Sequence, residues 1–134
     1  MYQLIVFLPL LAAIQPRHRQ VQALVLTPTR ELATQVFESL RDYSKYLRIP
    51  AATIYGGVGM GPQLDALRRG VDLVIACPGR LLDHIDRRSV DLSGIEILVL
   101  DEADRMLDMG FIPDIERIVK LVPFTRQTLF FSAT

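Results

Sequence analysis

The chain has 134 residues, of which 50% are hydrophobic and 22% are charged, and its 15 basic and 15 acidic side chains give a formal net charge of zero. This length suits one domain with its own core, and the charge balance gives no support to nucleic-acid binding through bulk positive charge. The single cysteine, Cys77, excludes an intrachain disulfide and a cysteine metal site, and it favours a reducing, cytoplasmic setting.

The chain opens with an apolar run, MYQLIVFLPLLAAI, at residues 1–14. The run is near the length of a signal-peptide core, but no Lys or Arg precedes its apolar part. It is too short to span a bilayer as a helix, so no membrane partner is expected. We favour a buried helix that is apolar on all sides. The alternative is a secreted α/β protein in which this run is the signal peptide.

Short apolar runs then alternate with helix-like stretches. Strands are predicted at 23–27, 51–55, 72–76, 96–100 and 127–133. Helices are predicted at 30–47, in the stretch that ends at Gly70, and at 80–86, 102–109 and 112–121. Near-continuous apolar strands that alternate with helices are typical of a parallel sheet covered on both faces. The prediction is therefore an α/β fold.

A polar, glycine-containing or proline-containing segment follows each predicted strand. In such sheets the binding crevice lies outside the carboxyl ends of the strands, so these segments should converge on one face. They are PTRE at 28–31, GG at 56–57, CPGR at 77–80, DEAD at 101–104 and SAT at 132–134. This clustering is the strongest physical indication of a functional site.

The DEAD segment places three carboxylates at the end of an apolar strand. Asp101 suits Mg²⁺ bound mainly through water beside nucleotide phosphates. Glu102 would polarise an attacking water, and Asp104 would make a supporting contact. Ser132 and Thr134 supply hydroxyls beside these acids. The alternative is a helix N-terminus whose acids merely complement the helix dipole.

Two further loops suit anions. Thr29 can cap a helix that begins at Arg30, so that its first N–H groups and the guanidinium would bind phosphate. The alternative there is a capped helix with an exposed arginine. Pro78 and Gly79 open another helix, and Gly79 leaves room for a backbone to come close. Arg80 either contacts phosphate or pairs with a nearby Asp.

The glycine-rich stretch YGGVGMGP at 55–62 lacks the spacing of a nucleotide-binding loop. The G-x-G-x-x-G pattern fails because its last position is Pro62, and no G-K-[ST] follows. The plain interpretation of Gly56 and Gly57 is a flexible strand-to-helix loop. The alternative, functional interpretation is that the loop backbone comes close to a ligand.

Together these segments resemble the DEAD-box RNA helicases along the whole chain. PTREL at 28–32 is similar to the family's motif Ia, and Gly56-Gly57 is similar to its GG motif. PGR at 78–80 resembles its TPGR motif. DEAD and SAT resemble motifs II and III. RDYSKYL at 41–47 and DEADRMLDMGFI at 101–112 most resemble the bacterial RhlE-like branch.

The resemblance implies the first of two RecA-like domains in an enzyme that couples ATP hydrolysis to RNA duplex opening. It implies that Asp101 holds Mg²⁺, that Glu102 activates the hydrolytic water, and that Asp104 bonds to the hydroxyls of Ser132 and Thr134. It also implies sequence-independent contacts to the RNA backbone. The residues concerned are Pro28, Thr29, Arg30, Gly56, Gly57, Pro78, Gly79 and Arg80.

The chain departs from the family's pattern in three respects. Tyr2 and Gln3 stand where the phosphate-binding loop has the Lys and Thr that hold the phosphates and Mg²⁺. The second RecA-like domain is not within residues 1–134, so these residues are expected to form a partial first domain. Cys77 replaces the family's threonine, and a thiol is a weaker donor than a hydroxyl.

These departures predict that the chain alone does not hydrolyse ATP. They also predict a RecA-like sheet without its phosphate-loop strand, so that the strand at 127–133 becomes an exposed apolar edge prone to self-association. The alternative function is a non-catalytic module, derived from a helicase domain, that binds RNA or another protein.

Overall fold

A computed structural model describes residues 20–47, 49–124 and 126–131, and all of their side chains except those of 42–47. The apolar run at 1–14 and the SAT segment at 132–134 lie outside the described residues. The helices and strands are β1 (Ala23–Leu26), α1 (Arg30–Leu47), β2 (Ala51–Ile54), α2 (Gly61–Arg69), β3 (Leu73–Ala76), α3 (Pro78–Asp86), β4 (Ile97–Leu100), α4 (Ala103–Asp108), α5 (Ile112–Val119) and β5 (Gln127–Phe130).

The predicted elements are present in the described residues, and most of their ends shift by only one or two positions. The α3 helix begins at Pro78 instead of the predicted residue 80. Proline suits the first turn of a helix because its φ is already helical and its missing N–H would have no partner there. The last strand ends at Phe130, short of the predicted 133.

The strands form one parallel sheet in the order β2-β3-β1-β4-β5. The three central strands are buried along their whole length, whereas the outer strands β2 and β5 are partly exposed. Parallel strands need crossover connections, which the intervening helices supply. The α/β sheet predicted from the sequence is confirmed.

Alternate residues of each strand pack on opposite faces of the sheet. On one face α1 packs through Ala33, Val36 and Leu40 against Val25 and its neighbours. On the other face Leu24 and Leu98 belong to a second cluster, to which α3, α4 and α5 contribute. The members from these helices are Leu81, Leu82, Met106, Ile115 and Ile118. Both faces are therefore covered, so polar loops are left to gather at the ends of the strands.

One side of the described sheet ends at β5. Phe130 at the end of this strand is 67% exposed, and Phe124 just before it is 96% exposed. A mainly apolar cavity of about 440 Å³ lies beside the strand, between β4, β5 and α5. Outer strands with exposed apolar side chains are templates for pairing with other chains. No helix within the described ranges is long and apolar enough to cross a membrane.

Candidate functional site

The last residues of the five strands lie in one row across the sheet. In spatial order they are Ile54, Ala76, Leu26, Leu100 and Phe130, and each is the register partner of the next. Neighbouring strands are about 4.8 Å apart, so the loops that follow begin side by side. The structure thus brings four of the five segments to one edge, and the fifth, SAT, lies outside the described residues.

Strand order decides which loops are neighbours. The GG, CPGR and PTRE segments follow β2, β3 and β1, which are contiguous in the sheet. The DEAD segment follows β4, on the far side of β1. The loops with arginines and glycines therefore form one continuous stretch of the edge, and the carboxylates lie beside it.

Backbone hydrogen bonds continue one residue past four of the strands. The N–H groups of the first loop residues donate to the terminal carbonyls of neighbouring strands: Cys77 to Ile54, Thr27 to Ala76 and Asp101 to Leu26 at 2.9 Å, and Phe131 to Leu100 at 3.0 Å. Each loop therefore leaves the sheet from a position held by the sheet itself.

Asp101 is a nearly buried carboxylate at this edge, with 7% of the residue exposed. Burial raises the pKa of Asp101, and the adjacent negative charge of Glu102 raises it further, while a hydrogen bond from the Glu102 backbone opposes this. A cation beside Asp101 would favour its ionised form. One carboxylate at a sheet edge fits Mg²⁺ that keeps most of its waters. Among the described residues, no group of three or more His, Cys, Asp and Glu side chains could enclose a metal.

Glu102 adopts a left-handed backbone conformation, with φ 53° and ψ 50°, immediately before α4. For a residue with a Cβ this conformation costs about 1 kcal/mol or more. Its carboxylate lies 3.6 Å from the guanidinium of Arg105, and its side chain is 18% exposed. Strained positions of this kind cluster at functional sites.

The loop after β4 is joined to the end of β5. The N–H of Ala103 donates to the carbonyl of Phe131 at 2.9 Å. Asp104 follows directly and is half-buried at the start of α4. Ser132 and Thr134 are outside the described residues, so the predicted contact between their hydroxyls and Asp104 stays a prediction.

Thr29 caps α1 as predicted. Its Oγ1 accepts a hydrogen bond of 3.2 Å from the N–H of Leu32. Arg30 is exposed, and its guanidinium carbon lies 5.2 Å from the centroid of the Tyr55 ring. A Cβ on Gly57 would lie 3.6 Å from Nη1 of Arg30, and Gly57 has a φ of 81° that favours glycine. The PTRE and GG loops therefore meet.

Arg80 is largely buried, with 14% of its side chain exposed. Its Nη1 donates to Oε1 of Gln63 at 3.3 Å, and its Nε lies 3.7 Å from a carboxylate oxygen of Asp83. The predicted pairing with a nearby Asp is therefore present. Guanidinium carries five N–H donors, and these contacts engage only part of them, so phosphate binding stays compatible with this geometry. Pro78 is buried and Gly79 is exposed, with open space where a Cβ would be.

Gln63 and His84, which the sequence pattern did not predict as site residues, are both buried. The Nε2 of Gln63 donates to the carbonyl of Tyr55 at 2.9 Å, and its Oε1 lies 2.9 Å from Nε2 of His84. Burial lowers the pKa of His84, and the positive charge of Arg80 lowers it further. A signal was available, because Gln63 lies three and four residues before Ala66 and Leu67, on the apolar side of α2.

Cys77 begins the loop after β3 and is half-buried. Burial raises the pKa of its thiol, a hydrogen bond with Thr27 lowers it, and the negative charge of Glu31 raises it again. The thiol is therefore protonated at neutral pH and is not an activated nucleophile. Cys77 directly precedes α3, at the position where the TPGR motif has threonine.

Comparison with known proteins gives a consistent assignment. Residues 4–134 match the family described as DEAD/DEAH box helicase. The chain is 51% identical over 129 residues to the ATP-dependent RNA helicase CshA of Listeria monocytogenes, and 52% identical over 128 residues to the ATP-dependent RNA helicase DeaD of Escherichia coli K12. It is 51% identical over 131 residues to the ATP-dependent RNA helicase-like protein DB10 of Nicotiana sylvestris.

Each of these comparisons covers 95% of the chain but only 24%, 20% and 22% of the respective relative. The chain thus spans about a quarter or less of the length of the curated relatives it matches. The family match itself extends over nearly all of the chain and includes the PTREL, GG, PGR, DEAD and SAT segments. The chain belongs to the DEAD/DEAH box helicase family.

Proposed function

We propose that the chain is most of the first RecA-like domain of an ATP-dependent RNA helicase, whose activity is ATP hydrolysis coupled to local opening of RNA duplexes. The order of the loops along the sheet edge carries this proposal. Three contiguous loops present arginines and glycines, and the loop beside them presents a buried carboxylate and a strained glutamate. An RNA backbone and a nucleotide would then lie next to each other on one edge.

In this proposal the acids act at the nucleotide. Asp101 holds Mg²⁺ mainly through water, and the bound ion would neutralise charge on the phosphates. Glu102 orients the attacking water and accepts its proton. Asp104 bonds to the hydroxyls of Ser132 and Thr134 and couples hydrolysis to strand separation. The burial of Asp101 and the backbone conformation of Glu102 support these roles.

The neighbouring loops bind the RNA backbone. Arg30 and Arg80 supply charge, and the N–H groups at the helix starts supply neutral donors. Contacts confined to the backbone make binding largely independent of base sequence. The proposed contact residues are Pro28, Thr29, Arg30, Gly56, Gly57, Pro78, Gly79 and Arg80.

Isolated residues 1–134 are proposed not to hydrolyse ATP, because the family pattern, extended back without gaps, puts Tyr2 and Gln3 at the positions of the phosphate-loop lysine and threonine. The measurement is phosphate release with and without single-stranded RNA, with Glu102→Gln as the control. We expect wild type and Glu102→Gln to give the same background rate. RNA-stimulated release by wild type above that of Glu102→Gln would contradict this proposal.

A non-catalytic module that binds RNA through the same loops, or another protein through the β5 edge, is the second candidate. The replaced phosphate-loop residues favour it. Titration of labelled single-stranded RNA at low salt tests the RNA surface common to both candidates. Arg30→Ala and Arg80→Ala should each weaken binding, whereas Arg68→Ala, which removes one charge from an exposed arginine on α2, should not. If all three substitutions changed RNA affinity equally, the proposed RNA surface would be contradicted.

Two finer assignments belong to the same proposal. The segments at 41–47 and 101–112 support membership of the RhlE-like branch of the family. The single cysteine, which favours a reducing setting, supports a cytoplasmic location.

A further inference from the structure

Gln63 on α2 is joined through one buried amide to three groups, the carbonyl of Tyr55 after β2 and the side chains of Arg80 and His84 on α3. The residue is 6% exposed. Its Nε2 donates to the carbonyl of Tyr55 at 2.9 Å, and its Oε1 faces Nη1 of Arg80 at 3.3 Å and Nε2 of His84 at 2.9 Å. An amide placed between three groups in this way restricts the positions of all of them.

The direction of the amide is determined by its partners. The Tyr55 carbonyl only accepts and the Arg80 guanidinium only donates. Reversing the amide would place oxygen against the carbonyl and NH₂ against the guanidinium, so only one orientation satisfies both. Because Oε1 then accepts, His84 is the tautomer with its proton on Nε2. Burial and the charge of Arg80 lower the pKa of His84, which keeps its ring neutral at pH 7.

We propose that Gln63 is a positioning residue for RNA binding, which holds the Arg80 guanidinium and the GG loop in the arrangement that contacts the RNA backbone. The inference rests on the proposed role of these loops in RNA binding. Tyr55 immediately precedes Gly56 and Gly57, and its ring lies under the guanidinium of Arg30. Through Tyr55 and Arg80, Gln63 therefore connects all three proposed RNA-binding loops.

Gln63 restrains the Arg80 side chain before RNA binds. A long arginine side chain loses rotamer freedom when it binds, and this loss weakens binding unless the side chain is already held. Gln63 and Asp83 together hold the Arg80 side chain before RNA arrives. Asp83 is 62% exposed, whereas Gln63 is buried, so the amide supplies the contact that water screens least.

The experiment is a double-mutant cycle with Gln63→Met and Arg80→Ala. Methionine keeps the length of the side chain but removes both polar ends. Affinity for a labelled ten-nucleotide oligouridine is measured by fluorescence anisotropy at low salt, at a temperature where every variant is folded. The matched control is Gln35→Met, which changes an exposed glutamine on α1.

We expect Gln63→Met to weaken RNA binding by about tenfold, the factor for loss of one charge-assisted contact. Arg80→Ala should weaken it similarly, and the double variant should be weaker by clearly less than the product of the two single effects, because part of the Gln63 effect acts through Arg80. Gln35→Met should leave affinity unchanged. The inference would be overturned if the effects of Gln63→Met and Arg80→Ala on affinity multiplied independently. It would also be overturned if Gln63→Met unfolded at a lower temperature than wild type but bound RNA with the same affinity.

Hydrogen exchange in the free protein separates this inference from the proposed function. Gln63→Met should speed exchange of backbone amides at 55–58 and 79–81 but not in α1. Wild type that does not bind RNA, or that binds it equally well after Arg30→Ala and Arg80→Ala, would refute the proposed RNA surface. Unchanged exchange at 55–58 and 79–81 would refute the positioning role of Gln63, whether or not RNA binds.

Discussion

The guanidinium of Arg30 lies over the ring of Tyr55, with its carbon 5.2 Å from the ring centroid. Arg30 begins α1 after β1, and Tyr55 follows β2, yet β3 lies between these two strands in the sheet. The contact therefore crosses the end of one intervening strand, about 10 Å from β1 to β2. The contact joins the PTRE and GG loops, which are not neighbours in the sequence and follow strands that do not pair with each other.

Tyr55→Leu should weaken RNA binding because the ring no longer restrains Arg30. An exposed cation–π contact contributes about 0.5–1 kcal/mol, so the expected loss of affinity is about threefold. Tyr55→Phe keeps the ring face and should bind as wild type. The measurement is the dissociation constant for single-stranded RNA at low salt. If the leucine and phenylalanine variants bind equally well, the ring does not position Arg30 for RNA.

Asp101→Asn should stabilise the fold at neutral pH. Burial and the charge of Glu102 raise the pKa of Asp101 in the folded chain, so its ionised form destabilises that chain. Asparagine stays neutral, and the expected gain is about 1 kcal/mol, within the usual range for a single stabilising substitution. The measurement is urea unfolding at pH 7, with Asp108→Asn as the control because Asp108 is exposed.

The sign of the pH dependence provides a second check on Asp101. A carboxyl group whose pKa is higher in the folded chain than in the unfolded chain stabilises the fold when it is protonated. This contribution is complete below the unfolded pKa, near 3.8, and is lost as the pH rises through the folded pKa. The advantage of Asp101→Asn should therefore shrink as pH falls towards 3.8. An advantage that is the same at pH 4 and pH 7 would contradict the proposed cause.

Glu102→Gly should be more stable than Glu102→Ala. At φ 53° a Cβ is unfavourable, and glycine avoids this cost, so the expected difference is about 0.5–1 kcal/mol. Arg88 is a matched position, with φ 57°, outside the proposed nucleotide site. Arg88→Gly and Arg88→Ala should differ in the same direction. Thermal unfolding measures the stability of both pairs of variants. If Glu102→Ala were more stable than Glu102→Gly, the backbone at residue 102 would not be strained.

Phe130→Lys should reduce self-association through the β5 edge. Phe130 is 67% exposed beside the apolar cavity, and a lysine on an edge strand opposes pairing with another chain. The control is Phe124→Lys, because Phe124 is 96% exposed but precedes the strand. Sedimentation velocity over a range of concentrations measures association. Equal reductions in both variants would assign association to general surface hydrophobicity and not to β5.

The local elements and the family could be read from the sequence because both depend on short-range patterns. Apolar runs separated by Gly, Pro and polar residues predict strands and loops wherever they occur, and the order of the PTREL, GG, PGR, DEAD and SAT segments is specific. The cap at Thr29 also follows from local chemistry, since a side-chain oxygen reaches the N–H of Leu32 three residues on.

Gln63 and His84 were not predicted as parts of the site because a polar residue in a helix is usually exposed. Their position on the apolar sides of α2 and α3 was a local signal, but their partners come from different elements. Gln63 bonds to Tyr55 eight residues earlier and to Arg80 seventeen residues later. Such contacts exist only after β2, β3 and α3 have packed together.

The sequence by itself determined the alternation of strands and helices, the polar ends of the strands and the family, since these depend on residue type and spacing. Only the tertiary structure decided that β1 lies between β3 and β4, which places the PTRE loop between the CPGR loop and the carboxylates. It also decided the burial of Asp101, the left-handed backbone of Glu102 and the network around Gln63. These features depend on which distant segments meet, and hydrogen bonds and burial between distant segments arise only when the sheet assembles.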